Sequence, residues 1–268
     1  MRRLLAWGLP LLVSVPLLLP ALWVLVAAVT PTYAINLNQF FREWTWENFH
    51  LALASANFPL LYKNTVMYTV GLLLAQLPAV ILAAYALARF RFRLQRAIFY
   101  LILFQLFLPP VALIVPNFRI LTALGLADTL TGVALPYIGS ATGVFLLRQG
   151  FRQIPIELEE AAQLDGAGPL QTLWYVALPL VKPYIAAFSL VSLVYHWNEF
   201  LWPLVVINSP QKRLLSVGFA SFTRSAESGA EWGLIAAGAV LVAAPLVVAF
   251  VCFQRFFIES FAHTGLRG

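Results

Sequence analysis

Charge is scarce in this sequence and cysteine scarcer. Only 10% of the 268 residues are Asp, Glu, Lys or Arg, against 61% hydrophobic, a balance outside the soluble globular range. The chain reads as a membrane protein. Its one cysteine, Cys252, lies inside an apolar run, can form no intramolecular disulfide and says nothing of redox compartment. No CxxC, HExxH, GxxxxGK[ST] or GxGxxG string occurs, so metal catalysis, a P-loop and a dinucleotide site lack a basis. No catalytic, cofactor-binding or metal-ligating residue is expected, and if ATP drives this chain, another chain binds it. The net charge is +6, but the basic residues sit at the ends of apolar runs, with no stripe or aromatic-interleaved patch. That distribution argues for membrane topology and against nucleic acid.

What is present is a series of long apolar runs. A helix needs about 20 apolar residues to cross the hydrocarbon core, and Leu4 to Val29, Asn64 to Ala88, Ala97 to Phe118, Thr129 to Leu147 and Trp232 to Gln254 are each long enough. A further run, Pro183 to Ile207, crosses with the single charge Glu199 inside. The expectation is an all-α polytopic membrane protein with six transmembrane helices. The first run follows Met1-Arg2-Arg3 like a secretory signal, but its apolar stretch is too long for one and no small-x-small site follows closely. Pro10, Pro16 and Pro20 should kink it. The basic residues are densest at Arg89, Arg91 and Arg93, which puts that loop, both termini and the segment 149–182 on the cytoplasmic side.

Segment 149–182 is unusually long and patterned for a membrane connection. Pro155 suits the start of a helix, and Glu157, Glu159 and Glu160 suit its first turn, where negative charge is favoured. The pattern predicts a helix from Pro155 to Leu164, ended by Gly166 in a left-handed conformation and restarted at Gly168-Pro169. Acids occupy one side and Ala161, Ala162 and Leu164 the other. Two readings follow: a plug for a socket on another protein, or an amphipathic loop on lipid headgroups. Anionic lipid would repel the acids of the second.

Glu160-Ala161-Ala162, three residues, Gly166, nine residues, then Val176-Ala177-Leu178-Pro179 resembles the coupling signature of binding-protein-dependent ABC importer permeases. Val176 replaces the usual isoleucine. The fuller string EAAQLDGA with LPLVKP and WNEFLWPL is similar to the carbohydrate subgroup, of the maltose-importer or glycerol-phosphate-importer type. The resemblance covers about Asn64 to the end. It implies a type I permease in the bacterial inner membrane. Its coupling residues would be Glu160, Ala161, Ala162, Leu164, Asp165, Gly166, Leu178 and Pro179, docked in a groove on a cytoplasmic ATPase. Two ATPase subunits holding ATP and magnesium, a second permease chain and an external binding protein are the implied partners, beside the lipid bilayer.

The other segments are less specific. Chain order divides into residues 1–62, with the first helix and an outer loop; 63–256, the permease core; and 257–268, a cytoplasmic tail. Trp44, Trp46, Phe49 and Phe58 in the outer loop suit the membrane interface or an outer partner. Leu108-Pro109-Pro110 breaks a helix, as a packed kink or along a cavity. The fourth run carries Gly132, Gly139, Ser140, Ala141 and Gly143 and should pack closely. Ser209 to Glu231 is expected as an outer loop. The tail keeps Gly265 and Arg267, while Ile258-Glu259-Ser260 departs from the pattern of related permeases.

A carboxylate and an amide inside a membrane run should face an interior or a water-filled path. Trp197, Asn198, Glu199 and Trp202 are therefore the candidate substrate path, the indoles stacking on a sugar ring and the polar groups bonding its hydroxyls. The structural alternative pairs Glu199 with a base or places it at the outer interface, and His196 reads as a satisfied histidine. The functional expectation is a permease subunit of an ATP-driven importer for a sugar or polyol. Glycerol 3-phosphate is one alternative, and a proton-coupled carrier using Glu199 is a remote one. A carrier usually needs more helices, often as repeats.

Overall fold

The computed structural model describes residues 2–36, 43–55, 57–228 and 231–265, and all regular structure among them is helical. The chain divides into two compact units, one of residues 1–62 with 214–247, the other of 63–213 with 248–268. Both are discontinuous in sequence, unlike the division read from chain order.

In the first unit, α1 (Arg2–Ala28) is followed by α2 (Thr32–Asn36), α3 (Glu47–Ser55) and the opening turn of α4 (Phe58–Arg89). Asn48 donates to the carbonyls of Ala28 and Thr30 at 3.1 and 2.9 Å, closing the end of α1, where backbone carbonyls lack helical partners. Trp44 and Trp46 are exposed, as an interface segment requires, but Phe58 is fully buried and meets Phe222 edge-on at 6.0 Å. The expected outer loop is largely α14 (Leu215–Ser228). Leu215, Phe222 and Ala226 are buried on it, at spacings that share one helical face; its serines and threonines had masked that periodicity.

The second unit contains α4 from Lys63 onward, then α5 (Gln95–Phe104) and α6 (Ile114–Ala123), bent by 102° where Leu108 and Pro109 are extended. The fourth run is α7 (Leu130–Ala134) and α8 (Ala141–Gln153), bent by 47°, with Ser140 accepting from the Gly143 amide at 3.2 Å to start α8. Then come α9 (Ile156–Leu164), α10 (Pro169–Thr172), a π-helical turn at Leu173–Ala177, α11 (Leu178–Leu180), α12 (Lys182–Asn198) and α13 (Leu201–Val206). The last helix, α15 (Trp232–Gly265), runs through the start of the expected tail; residues 266–268, and with them Arg267, lie outside the described residues.

Among the described residues α4 and Trp232–Cys252 are long and apolar enough to cross a membrane unbroken, and counting each of three bent pairs as one span brings the number to five. Before them comes α1, apolar from Ser14 to Ala28. The fifth expected crossing does not run straight to Ile207. Its helix stops at Asn198 and Glu199 takes an extended backbone. The core of this unit joins Val80, Ala84 and Leu87 of α4 to Val144, Leu147 and Phe151 of α8, and to Phe188 of α12. Close approach explains Gly143: a Cβ there would lie 2.6 Å from the Phe188 ring and 2.9 Å from Val80. Where lipid is as apolar as the side chains, such backbone contact holds helices together.

Candidate functional site: a protruding helix and a membrane cavity

Pro155 precedes α9 with extended backbone, and Glu157 and Glu159 occupy the first turn. The helix ends as its sequence predicts. Gly166 has φ +89°, and the amides of Gly166 and Ala167 return to the carbonyls of Gln163 and Ala162. The Gly168 amide then donates to Gln171 Oε1 at 2.8 Å, opening α10. Glu160, Ala161, Asp165 and Gly166 are exposed, Ala162 is half-buried, and Leu164 is 89% exposed. An isobutyl group held that far out on a helix end is an apolar protrusion. Leu178 instead packs on the core behind this lobe, with Pro179 exposed beside it.

The acids do not share one side. Glu157 and Glu160 are exposed, but Glu159 is 2% exposed and pairs with Arg89 Nε at 2.7 Å. Tyr85 donates to its other oxygen at 3.0 Å, and Arg89 Nη2 donates to the Ile154 carbonyl at 2.9 Å. Burial is possible because α9 lies on the end of α4, a fact absent from the local pattern. Arg89, read as topology, is also a structural ion-pair partner.

A cavity of about 550 Å³ opens within the second unit, within the range of small-molecule sites. The chain leaves helical geometry at Leu108–Pro109, at Gly139–Ser140 and at Glu199, and Leu108, Gly139, Ser140 and Glu199 all line the cavity. Irregular backbone at membrane depth is tolerated only where protein or water covers it, and here the breaks surround one space. This resolves the open question of Leu108-Pro109-Pro110 in favour of a cavity wall.

A buried polar network forms one side. Gln76 of α4 donates to the Tyr137 carbonyl at 2.6 Å and accepts from Ser192 Oγ at 2.6 Å, and its nitrogen lies 3.4 Å from His196 Nε2. Tyr68 is 3.2 Å from His196 Nδ1, and Tyr137 donates to Glu199 at 3.0 Å. Of the four proposed path residues, Glu199 and Trp202 line this cavity. The Trp202 indole is buried and donates to the Val133 carbonyl at 3.0 Å, while Trp197 is buried elsewhere. Asn198 bonds the Val194 carbonyl of its own helix at 2.8 Å and borders a separate, shallower hollow. The aromatic surface offered to the main cavity includes Tyr137 and Tyr195. Sequence reading missed Gln76, Tyr137 and Ser192. Gln76 had a signal: an amide twelve residues into an apolar run is expensive without partners.

Elsewhere Asp128, at φ 55°, binds the chain after α13. It accepts from the amides of Asn208 and Ser209 at 2.9 Å each, from the Ser209 hydroxyl at 2.5 Å and from Lys212 at 3.1 Å. The Ser209 bonds, and less strongly Lys212, hold its carboxyl well below the usual carboxylate range. A depressed folded value stabilises above the unfolded value and is lost as pH falls through the folded one. Asp128→Asn should therefore lower the melting temperature of the solubilised protein at pH 7, and the gap from the parent should begin to narrow below about pH 4 and shrink progressively on further acidification. A gap that does not depend on pH would contradict this.

A helical chain with several apolar spans and a cavity among broken helices fits a transport subunit of the membrane. The family described as the binding-protein-dependent transport system inner membrane component matches residues 76–262. The sn-glycerol-3-phosphate transport system permease protein UgpE of Rhizobium meliloti (strain 1021) is 35% identical over 201 residues, 75% of this chain and 71% of that one. The protein of the same description from Yersinia enterocolitica is 31% identical over 260 residues, 93% and 92% of the two chains. A bacterial ABC transporter involved in import of the acidic polysaccharide alginate contains a chain of the same fold, with TM-score 0.83 and 25% identity over 95% of this chain and 97% of that one. The chain belongs to the binding-protein-dependent transport system inner membrane component family. It is a multi-pass inner-membrane permease subunit of an ABC importer.

Proposed function

We propose that the cargo is a neutral sugar or polyol, handed over by an external binding protein, and that the cavity is part of its path. The cavity lining carries this reading. Gln76, Asn117, Tyr137, Ser140 and Ser192 supply neutral donors and acceptors, His196 stands beside them, and among the described residues Glu199 is the one acid in the lining and no Lys or Arg lines the space. Such groups match hydroxyls. Glycerol 3-phosphate remains the second reading, because the relatives carrying that description are 31–35% identical.

Energy enters through α9. Two ATPase subunits with ATP and magnesium grip Glu160 to Gly166, with Leu164 in the socket, on the cytoplasmic side where both termini also lie. The Arg89, Arg91 and Arg93 cluster supports that orientation. A second permease chain completes the path, since one chain of this size encloses little of a sugar-sized channel. Nucleotide closure drives the cavity from inward-facing to outward-facing, and hydrolysis resets it.

Two measurements test the substrate reading. The external binding protein that copurifies with this chain should gain thermal stability with neutral sugars and none with glycerol 3-phosphate; the reverse supports the second reading. Glu199→Gln should cut uptake several-fold with assembly intact, and unchanged uptake would remove Glu199 from the path.

A further inference from the structure

The protruding lobe and the cavity wall share one helix. Near its end α4 grips α9 through Tyr85 and Arg89, and thirteen residues earlier, about 20 Å along a helix, it presents Gln76 to the cavity. One carbonyl of its last turn is held from two sides. Leu87 O accepts from Gln95 at 2.9 Å and from Arg148 of α8 at 3.0 Å, and the Arg148 guanidinium lies 4.0 Å over the Phe99 ring. Arg89 ties the same end to Ile154, just past α8. With Gly143 pressed between Val80 and Phe188, α4, α8 and α12 are packed too closely to slide independently.

We infer that Glu159, Arg89 and Tyr85 form the joint through which displacement of α9 reaches α4, and that Gln76 is where the displacement meets the cavity. This rests on reading α9 as the ATPase-docking helix. Glu160, Ala161, Leu164, Asp165 and Gly166 face outward, whereas Glu159 faces inward to the joint. Separating α9 from α4 would break the charge-assisted Arg89–Glu159 bond together with the Tyr85 bond, a greater loss than that of a single neutral hydrogen bond. The helices therefore move together. Gln76 bonds both Ser192 on α12 and the Tyr137 carbonyl before α8, so tilting α4 carries that wall against the one formed around Leu108 and Asn117. Glu159, Arg89 and Tyr85 are positioning residues in this scheme, and none touches cargo.

The test uses the purified permease–ATPase complex in nanodiscs, with Cys252→Ser and spin labels at Val111→Cys and Val191→Cys, both cavity-lining positions. Mg-ATP with vanadate is the probe, so no cargo is needed. The parent should show a shift of several ångström in the label-to-label distance between nucleotide-free and trapped states. Glu159→Gln and Tyr85→Phe should keep ATPase copurification and lose most of that shift, while Arg89→Lys, which retains charge, should keep more of it than Arg89→Gln. ATPase retained with an undiminished shift in both Glu159→Gln and Tyr85→Phe overturns the joint alone. ATPase lost in Glu159→Gln places that residue in the docking face and also overturns it. A parent complex that holds no ATPase overturns the docking reading, and the joint falls with it.

Discussion

A Gly166→Val variant is expected to insert into the membrane at parental levels, lose copurification of the ATPase and lose uptake. Gly166 sits at φ +89° in the turn between α9 and α10, with nothing within 4 Å of where a Cβ would stand. The penalty is therefore backbone strain, about 1–2 kcal/mol for an ordinary side chain and more for a β-branched one. That strain is too small to unfold a chain held by several packed helices, but it is concentrated in the two-residue turn that sets the angle of Leu164 and Asp165. Relaxing the turn swings Leu164 away from its socket. At about 1.4 kcal/mol per factor of ten, docking should weaken tenfold or more. Gly166→Ala should fall between parent and valine. Parental uptake in the valine variant would remove the turn from the coupling path.

The second large effect is expected at Gln76→Leu. The side chains are close in volume, so packing changes little, but the leucine leaves the Ser192 hydroxyl and the Tyr137 carbonyl without the 2.6 Å bonds that Gln76 supplies. Stranding a buried polar group costs about 1–3 kcal/mol, so the melting temperature should drop by several degrees. Uptake should drop further than that loss of stability accounts for, because the same side chain joins three elements around the cavity. Gln76→Asn, which keeps the amide on a shorter arm, should recover part of the stability and less of the transport. A leucine variant as stable and active as the parent would show that the network is incidental to both.

Helix α9 and the glycine turn that ends it were legible before any coordinate. Proline at the start, acids in the first turn and glycine at the stop are local signals, and α9 begins and ends where they place it. The burial of Glu159 was not legible, because its partner Arg89 lies 70 residues away and a helical wheel of α9 alone puts the acid outside. Glu199 shows the same division. Its cost in an apolar run marked it as interior, and Pro203 four residues on removes the helical bond to its carbonyl, but only the packing turned the carboxylate toward Tyr137. Trp197, beside it, points to the core and away from the cavity lining. At α14 the spacing of Leu215, Phe222 and Ala226 was present but read through a polar composition, and burial decided the matter.

Composition alone determined that this chain lives in a bilayer, since 61% hydrophobic residues with 10% charge leave no polar surface to dissolve it. Short-range patterns determined where its helices start, stop and break, because caps and prolines act over one or two turns. The tertiary structure decided which breaks share a cavity, which acid is pinned to which base and which tryptophan faces the space. Those are contacts between residues far apart in sequence, and only the packing of whole helices selects among them.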